Sequence, residues 1–168
     1  MVAEFSRQTR SLLDRADNLC KQRGATLTDL RRHVLGLVLD AAAPPGAYEL
    51  LDQLRLTRRG AAPPTIYRAL DFLLAHGLIH KVERLSAFVG CVTGCTAKPE
   101  DDARTHAAQF FICRLCRRVI EMQNDDVSRA LTRAAVVAGF SISNATIEAE
   151  GRCSTCARAS HRSNRNPS

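Results

Sequence analysis

Apolar side chains recur at intervals of three and four residues through the first half of the chain. Between residues 6 and 23, Leu12, Leu13, Ala16, Leu19 and Cys20 share one helical face, and Gly24 stops the run. A second helix is predicted to open at Thr28, an N-cap residue followed by Asp29 where the helix dipole favours a carboxylate. Leu30, Val34, Leu37 and Val38 form its stripe, and AAAPPG ends it. AYELLDQLRLTRRG predicts a third helix, with Leu50, Leu51 and Leu54 inward and Gly60 as stop. PPTIYRALDFLLAHG predicts a fourth, opened by Pro63 and Pro64 and closed by Gly77.

The period changes after Gly77. LIHKVERL and AFVGCV are short runs of strand character joined by a tight turn around Leu85–Ser86. Compact helices followed by a β-hairpin outline a winged helix, and the short link between the third and fourth helices suits a helix-turn-helix. Residues 92–105 turn small, polar and acidic, which reads as a linker. Beyond it the pattern predicts strands over 107–112 and 117–122, a helix from Asn124 to about residue 138, and a strand over 141–149. The expected class is therefore α+β. A winged helix-turn-helix domain occupies residues 1–91, a small α/β dimerisation and metal-binding domain residues 106–157, and a disordered polar tail residues 158–168. So short a second domain has little core of its own, and a structural metal and a dimer interface are the usual remedies.

Its cysteines supply the metal. Cys113 and Cys116 sit two apart, and Cys153 and Cys156 repeat the spacing after thirty-six intervening residues. Four thiolates on two tight turns make a tetrahedral sulfur cage of the kind zinc fills. Two disulfides are the ordinary alternative. The N-terminus has no apolar segment directing secretion, however, and seven cysteines is an odd number. A thioredoxin-like redox pair would account for only one of the two motifs.

Composition narrows the partners less than the motifs do. At 168 residues and 45% hydrophobic, with no apolar run of ~20 residues, the chain is expected to be soluble and cytoplasmic, with no membrane partner. The net charge of +7 divides almost evenly between residues 1–91 and 92–168, so it marks no binding face. Four thiolates around Zn2+ would carry −2 and lower the total to about +5. The fourth helix is more informative. Ile66, Leu70, Leu73 and Leu74 make its apolar face, Thr65, Arg68 and Asp71 lie on another, and Tyr67 stands at the border. Such a helix can enter the major groove by its first turn, with Thr65 and Tyr67 on phosphates and Arg68 on a guanine edge. A solvated polar face has the same look.

Four further residues have metal-binding side chains near the domain junction: His80, Cys91, His106 and Glu121. Singly, each has an ordinary reading as a packed or surface side chain. Cys95 in the linker is an alternative sulfur ligand, and Cys20 reads as a core thiol. Neither H-E-x-x-H nor a deaminase-like H-x-E motif occurs, which argues against a zinc enzyme.

PPTIYRALDFLLAHGLIHKVE, FFICRLCRRVIE and IEAEGRCSTC together resemble the ferric uptake regulator superfamily, and within it the branch of zinc uptake regulators, over roughly residues 12 to 157. The resemblance implies a homodimer that binds palindromic double-stranded operator DNA and represses zinc-uptake genes when zinc is plentiful, with no small-molecule substrate and no catalysis. It places a structural zinc on Cys113, Cys116, Cys153 and Cys156. A regulatory zinc falls on His80, Cys91, His106 and Glu121, making two Zn2+ per subunit, and DNA contacts fall on Tyr48, Thr65, Tyr67 and Arg68. A thiolate in the sensing site favours zinc over ferrous or manganous ions, so Cys91 separates a zinc sensor from an iron- or peroxide-sensing relative. A thiol switch through Cys91 and Cys95 is a further alternative. The chain departs from the family pattern in three places. LTDLR replaces LTPQR, the Cys91–His106 stretch is long, and the histidine-rich run before the first cysteine pair is missing.

Overall fold

The computed structural model describes residues 5–91, 108–142 and 145–163, with side chains up to residue 158. Two compact units divide at Ala103 and Arg104. The expected linker 92–105, together with Cys95 and His106, lies outside the described residues.

The first unit begins with four helices: α1 (Arg7–Gln22), α2 (Asp29–Asp40), α3 (Ala47–Thr57) and α4 (Pro63–Ala75). Ser6 caps α1 by accepting the Thr9 N–H at 3.1 Å, and the buried Thr9 hydroxyl donates to Asp40 at 2.7 Å. That bond joins the start of α1 to the end of α2 and holds the Asp40 carboxyl below its usual range. The sequence LTDLR works as a unit. Leu27 is buried, Thr28 caps α2, and Arg31 lays its guanidinium 3.7 Å from the centroid of the Phe72 ring in α4. Gly36 lets the Phe5 ring lie directly on α2, where any Cβ would collide with it. Val34, Leu35, Leu50, Leu54, Ile66, Leu70 and Leu73 are essentially inaccessible and form the centre of the core. Prolines occupy the first two positions of α4, where their missing N–H groups cost no helical bond. Gly77, at φ 65°, ends it, with the Leu78 N–H bonding back to the Leu73 carbonyl at 2.9 Å.

The hairpin follows as expected. Strands β1 (Ile79–Val82) and β2 (Ala87–Gly90) pair antiparallel, His80 opposite Val89, around a 3-10 turn at Glu83–Leu85. Gly46, just before α3, bridges to Ala87, and the Phe88 N–H donates to the Pro45 carbonyl at 2.9 Å. The wing is thereby anchored to the start of α3.

In the second unit, β3 (Ala108–Cys113) is the central strand of a three-stranded sheet. It lies antiparallel to β4 (Val119–Met122) and parallel to β5 (Thr146–Gly151), with α5 (Asp125–Val137) between β4 and β5 in sequence. Asn124 caps α5 by accepting from the Asp126 and Val127 N–H groups. The buried Gln109 side chain donates to the Asn124 carbonyl at 3.0 Å and to the Ser128 hydroxyl at 3.1 Å, pinning that cap to β3.

Two expectations fail here. The last strand begins at Thr146 rather than at 141, so only part of the alternating run SISNATIEAE pairs. A sixth helix, α6 (Ser154–Ser163), crosses the start of the segment expected to be disordered from 158; residues 164–168 lie outside the described residues. Its first bond runs from the Ala157 N–H to the Cys153 carbonyl at 2.9 Å, in a stretch whose polar composition did not announce a helix.

Candidate metal centre and nucleic-acid surface

The four-cysteine motif closes into a cluster. Cys113 ends β3 and is buried. The chain then turns so that the Arg117 N–H reaches the Cys113 carbonyl at 2.8 Å and the Cys113 N–H reaches the Arg118 carbonyl at 2.9 Å. Arg117 takes φ 58° to complete this turn, a left-handed conformation that costs a non-glycine residue energy. The Arg114 N–H donates to the Gly151 carbonyl at 3.0 Å, which ties the turn to β5 and brings Cys153 alongside. Cys156 is the third residue of α6, so the second pair sits on a helix start rather than on a tight turn.

All four sulfurs lie within 4.8 Å of one another. The Cys116 and Cys153 sulfurs are 3.8 Å apart, matching the roughly 3.8 Å edge of a tetrahedron whose Zn–S bonds are about 2.3 Å long. A disulfide would need about 2.05 Å. None of the six cysteines among the described residues forms a disulfide.

Backbone amides prepare the cage for a cation. The N–H groups of Cys116, Cys153 and Leu115 point at the Cys113 sulfur and lower its pKa to about 6, and the Cys153 N–H contact measures 3.3 Å. The Cys156 N–H, at the start of α6, lowers the Cys153 thiol in the same way. Cys156 itself is pushed up to about 12 by its hydrogen bonds with the Cys153 and Cys116 side chains. Cys113 thus ionises readily, while Cys156 keeps its proton until a cation balances the charge. Four converging sulfurs, two of them at the tetrahedral edge length, fit zinc.

Of the other expected metal ligands, His80 and Cys91 belong to the first unit and Glu121 to the second. His80 lies half-buried in β1 opposite Val89, and Cys91 follows β2 two residues after Val89, so the alternation of strands puts His80 and Cys91 on one face of the hairpin. The Cys91 N–H continues the ladder to the Leu78 carbonyl at 3.0 Å, and its thiol is buried. Glu121 is half-buried in β4, opposite Phe110. His106 lies outside the described residues.

On α4, Ile66, Ala69, Leu70 and Leu73 turn into the core, which leaves Tyr67 and Arg68 exposed and Thr65 at the margin. Tyr48, the second residue of α3, is 68% exposed, too much for a ring that serves packing. The sequence did not single out Gln109. A polar residue inside an apolar run was its only signal.

Four helices and an anchored wing, joined in one chain to a small sheet domain with a four-thiol cage, define a metalloregulator of winged-helix type. Residues 22–150 match the family model described as the ferric uptake regulator family, and the chain belongs to that family. The "Zinc uptake regulation protein" of Escherichia coli (strain K12) is 39% identical over 148 residues, covering 88% of this chain and 82% of the relative. A solved structure described as a zinc uptake regulator complexed with zinc and DNA superposes with a TM-score of 0.84 at 37% identity, over 93% of this chain and 99% of that one. The crystal structure of holo XcZur superposes at 0.77 with 40% identity, over 88% and 98%.

Proposed function

We propose that this protein is a homodimeric, zinc-responsive repressor that binds palindromic operators of zinc-uptake genes. The observation that carries this reading is the likeness, across nearly the whole chain, to a regulator solved with both zinc and DNA.

Two zinc ions per subunit have separate tasks in this reading. Cys113, Cys116, Cys153 and Cys156 hold a structural ion that ties the β3–β4 turn to the start of α6. His80, Cys91, His106 and Glu121 are the regulatory ligands, drawn from wing, linker and sheet. When zinc is bound it supplies a tetrahedral tie with no redox chemistry of its own. His80 and Cys91 on one face of the hairpin support this assignment, and a thiolate among the donors favours zinc over ferrous or manganous ions. With four protein ligands at each site, neither has an open position for a substrate. Phe111 and Ile120 on the sheet, and Val127, Val136 and Val137 on α5, are exposed apolar side chains that support a dimer interface.

The residues of the second site act by selecting a conformation. Joining wing to sheet fixes the spacing of the two α4 helices in a dimer, so that the Arg68 side chains meet half-sites on one face of the duplex while Tyr48, Thr65 and Tyr67 hold the backbone. Shifting such an equilibrium from 1:99 to 99:1 needs a preference of about 10^4-fold, roughly 5.5 kcal/mol. DNA must then tighten zinc binding by the same factor.

The test is binding of the purified protein to a duplex selected from a random pool, measured against buffered free zinc with iron and manganese as controls. Zinc alone at submicromolar free concentration should raise affinity. A response to iron or manganese in place of zinc, or to none of the three, rejects the reading.

A further inference from the structure

Three arginines, Arg55, Arg58 and Arg59, fall within five residues immediately ahead of α4. The first has a structural task. Its Nε donates to the Ala61 carbonyl at 3.1 Å and its Nη1 meets Asp52 at 3.3 Å, which braces the α3–α4 turn. The turn is further fixed by the Arg58 N–H on the Leu54 carbonyl at 2.8 Å, by the Ala61 N–H on the Arg58 carbonyl at 2.9 Å, and by burial of Ala61. Arg58 and Arg59 are thus carried on rigid backbone. Both are exposed, and neither guanidinium meets an acceptor among the described residues.

The start of α4 shows why such a pair matters. A helix N-terminus ordinarily binds phosphate through its free N–H groups. Here Pro63 and Pro64 remove two of them, Ala62 offers no capping side chain, and the Thr65 N–H is turned to the Ala62 carbonyl at 2.8 Å. The helix end placed nearest the duplex is therefore poor in backbone donors, and positive charge there has to come from side chains. Two cations held in a braced turn beside a donor-poor helix end fit the DNA backbone, not a base edge.

We infer that Arg58 and Arg59 form a phosphate clamp on the α3–α4 turn, setting sequence-independent affinity while Arg68 reads the bases. The inference rests on the proposed DNA-binding function and adds residues to that surface.

The probe is a fluorescent duplex of random sequence, about 30 base pairs long, titrated with zinc-loaded protein from about 50 to 300 mM salt. The Arg58→Ala/Arg59→Ala variant should bind it about tenfold more weakly near 0.1 M salt, with the slope of log K against log salt smaller by about 2 per subunit. A duplex selected by the wild type should lose the same factor, leaving the specificity ratio unchanged. Arg58→Lys/Arg59→Lys should keep most of the slope. Arg133→Ala/Arg158→Ala removes the same charge from exposed positions of the other unit and should change neither quantity.

An unchanged slope in the alanine variant overturns the clamp, as does an equal loss in the Arg133/Arg158 control. A larger loss on the selected duplex than on random DNA also overturns it, since that marks base reading. If the double variant matches a wild type that binds DNA in response to zinc, the clamp alone falls. If the wild type binds no DNA at all, the functional reading falls with it.

Discussion

The two units are stabilised by different means. The first buries a continuous cluster from Leu13 on α1 to Phe88 on β2, with contributions from all four helices and the hairpin. The described part of the second buries only Gln109, Phe110, Ile112 and Cys113, and α5 has no buried residue. In place of a core it has a sulfur cage and a row of exposed apolar side chains. The first unit's order is thus supplied by its own hydrophobic surface, at about 25 cal/mol per Å² buried. The second has too little buried surface to be ordered in that way, and its sulfur cage and exposed apolar face fit a cation and a second copy.

Removing the cage should break this contrast most visibly. Structural zinc in small domains is worth on the order of 10–16 kcal/mol, more than a thin three-stranded sheet can replace. Cys113→Ser should lose one zinc per subunit and the amide protection of β3 and β5, while amides of α2 and α4 stay protected. Hydrogen exchange read by mass spectrometry would show it, and uniform loss across both units would deny their independence.

The converse substitution is the next largest. Leu70→Ala in α4 opens a cavity in a well-packed core and should destabilise the first unit by about 2–5 kcal/mol. Zinc content at the cage should stay the same, as metal analysis of the still-folded variant would report.

A third effect comes from protons. Cys113, lowered to about 6, is already a thiolate at neutral pH, whereas Cys156, raised to about 12, retains its proton. Zinc must displace that proton, so affinity at the cage should rise with pH, by at least about tenfold per unit between about pH 7 and 8. Below about 6 Cys113 also protonates, and affinity should fall more steeply. Chelator competition at several pH values measures the slope, and a flat profile would contradict the protonation pattern. The smallest effect concerns Arg117. Glycine at its left-handed position should stabilise the zinc-loaded second unit by about 0.5–1 kcal/mol, read as a small rise in the melting temperature.

Much of the first unit was legible in the chain, because an amphipathic helix writes its buried face at a period of 3.6. Thr28, the Pro63–Pro64 pair and Gly77 fell at the helix ends where their chemistry belongs. The cysteine spacing likewise gave the cage. What escaped was α6, since ARASHRSNRNPS has no apolar stripe to announce a helix. The early start assigned to β5 failed because alternation alone does not supply a pairing partner. Alternation continues through Ser141, but pairing with β3 begins only at Thr146. The second ligand set was proposed as a set only through family resemblance. His80, Cys91, His106 and Glu121 are far apart in sequence and share no motif.

The central claim is that sensing and scaffolding use different zinc ions. Its most direct test is to count zinc per subunit and titrate DNA binding against free zinc in Cys91→Ser and His106→Ala, with Cys95→Ser beside them. Both variants should hold one zinc instead of two, remain dimeric and lose the zinc response of operator affinity, while weak salt-sensitive binding to random DNA persists. Cys95→Ser should behave as the wild type. Retention of two zincs and a full zinc response in both Cys91→Ser and His106→Ala would contradict the claim.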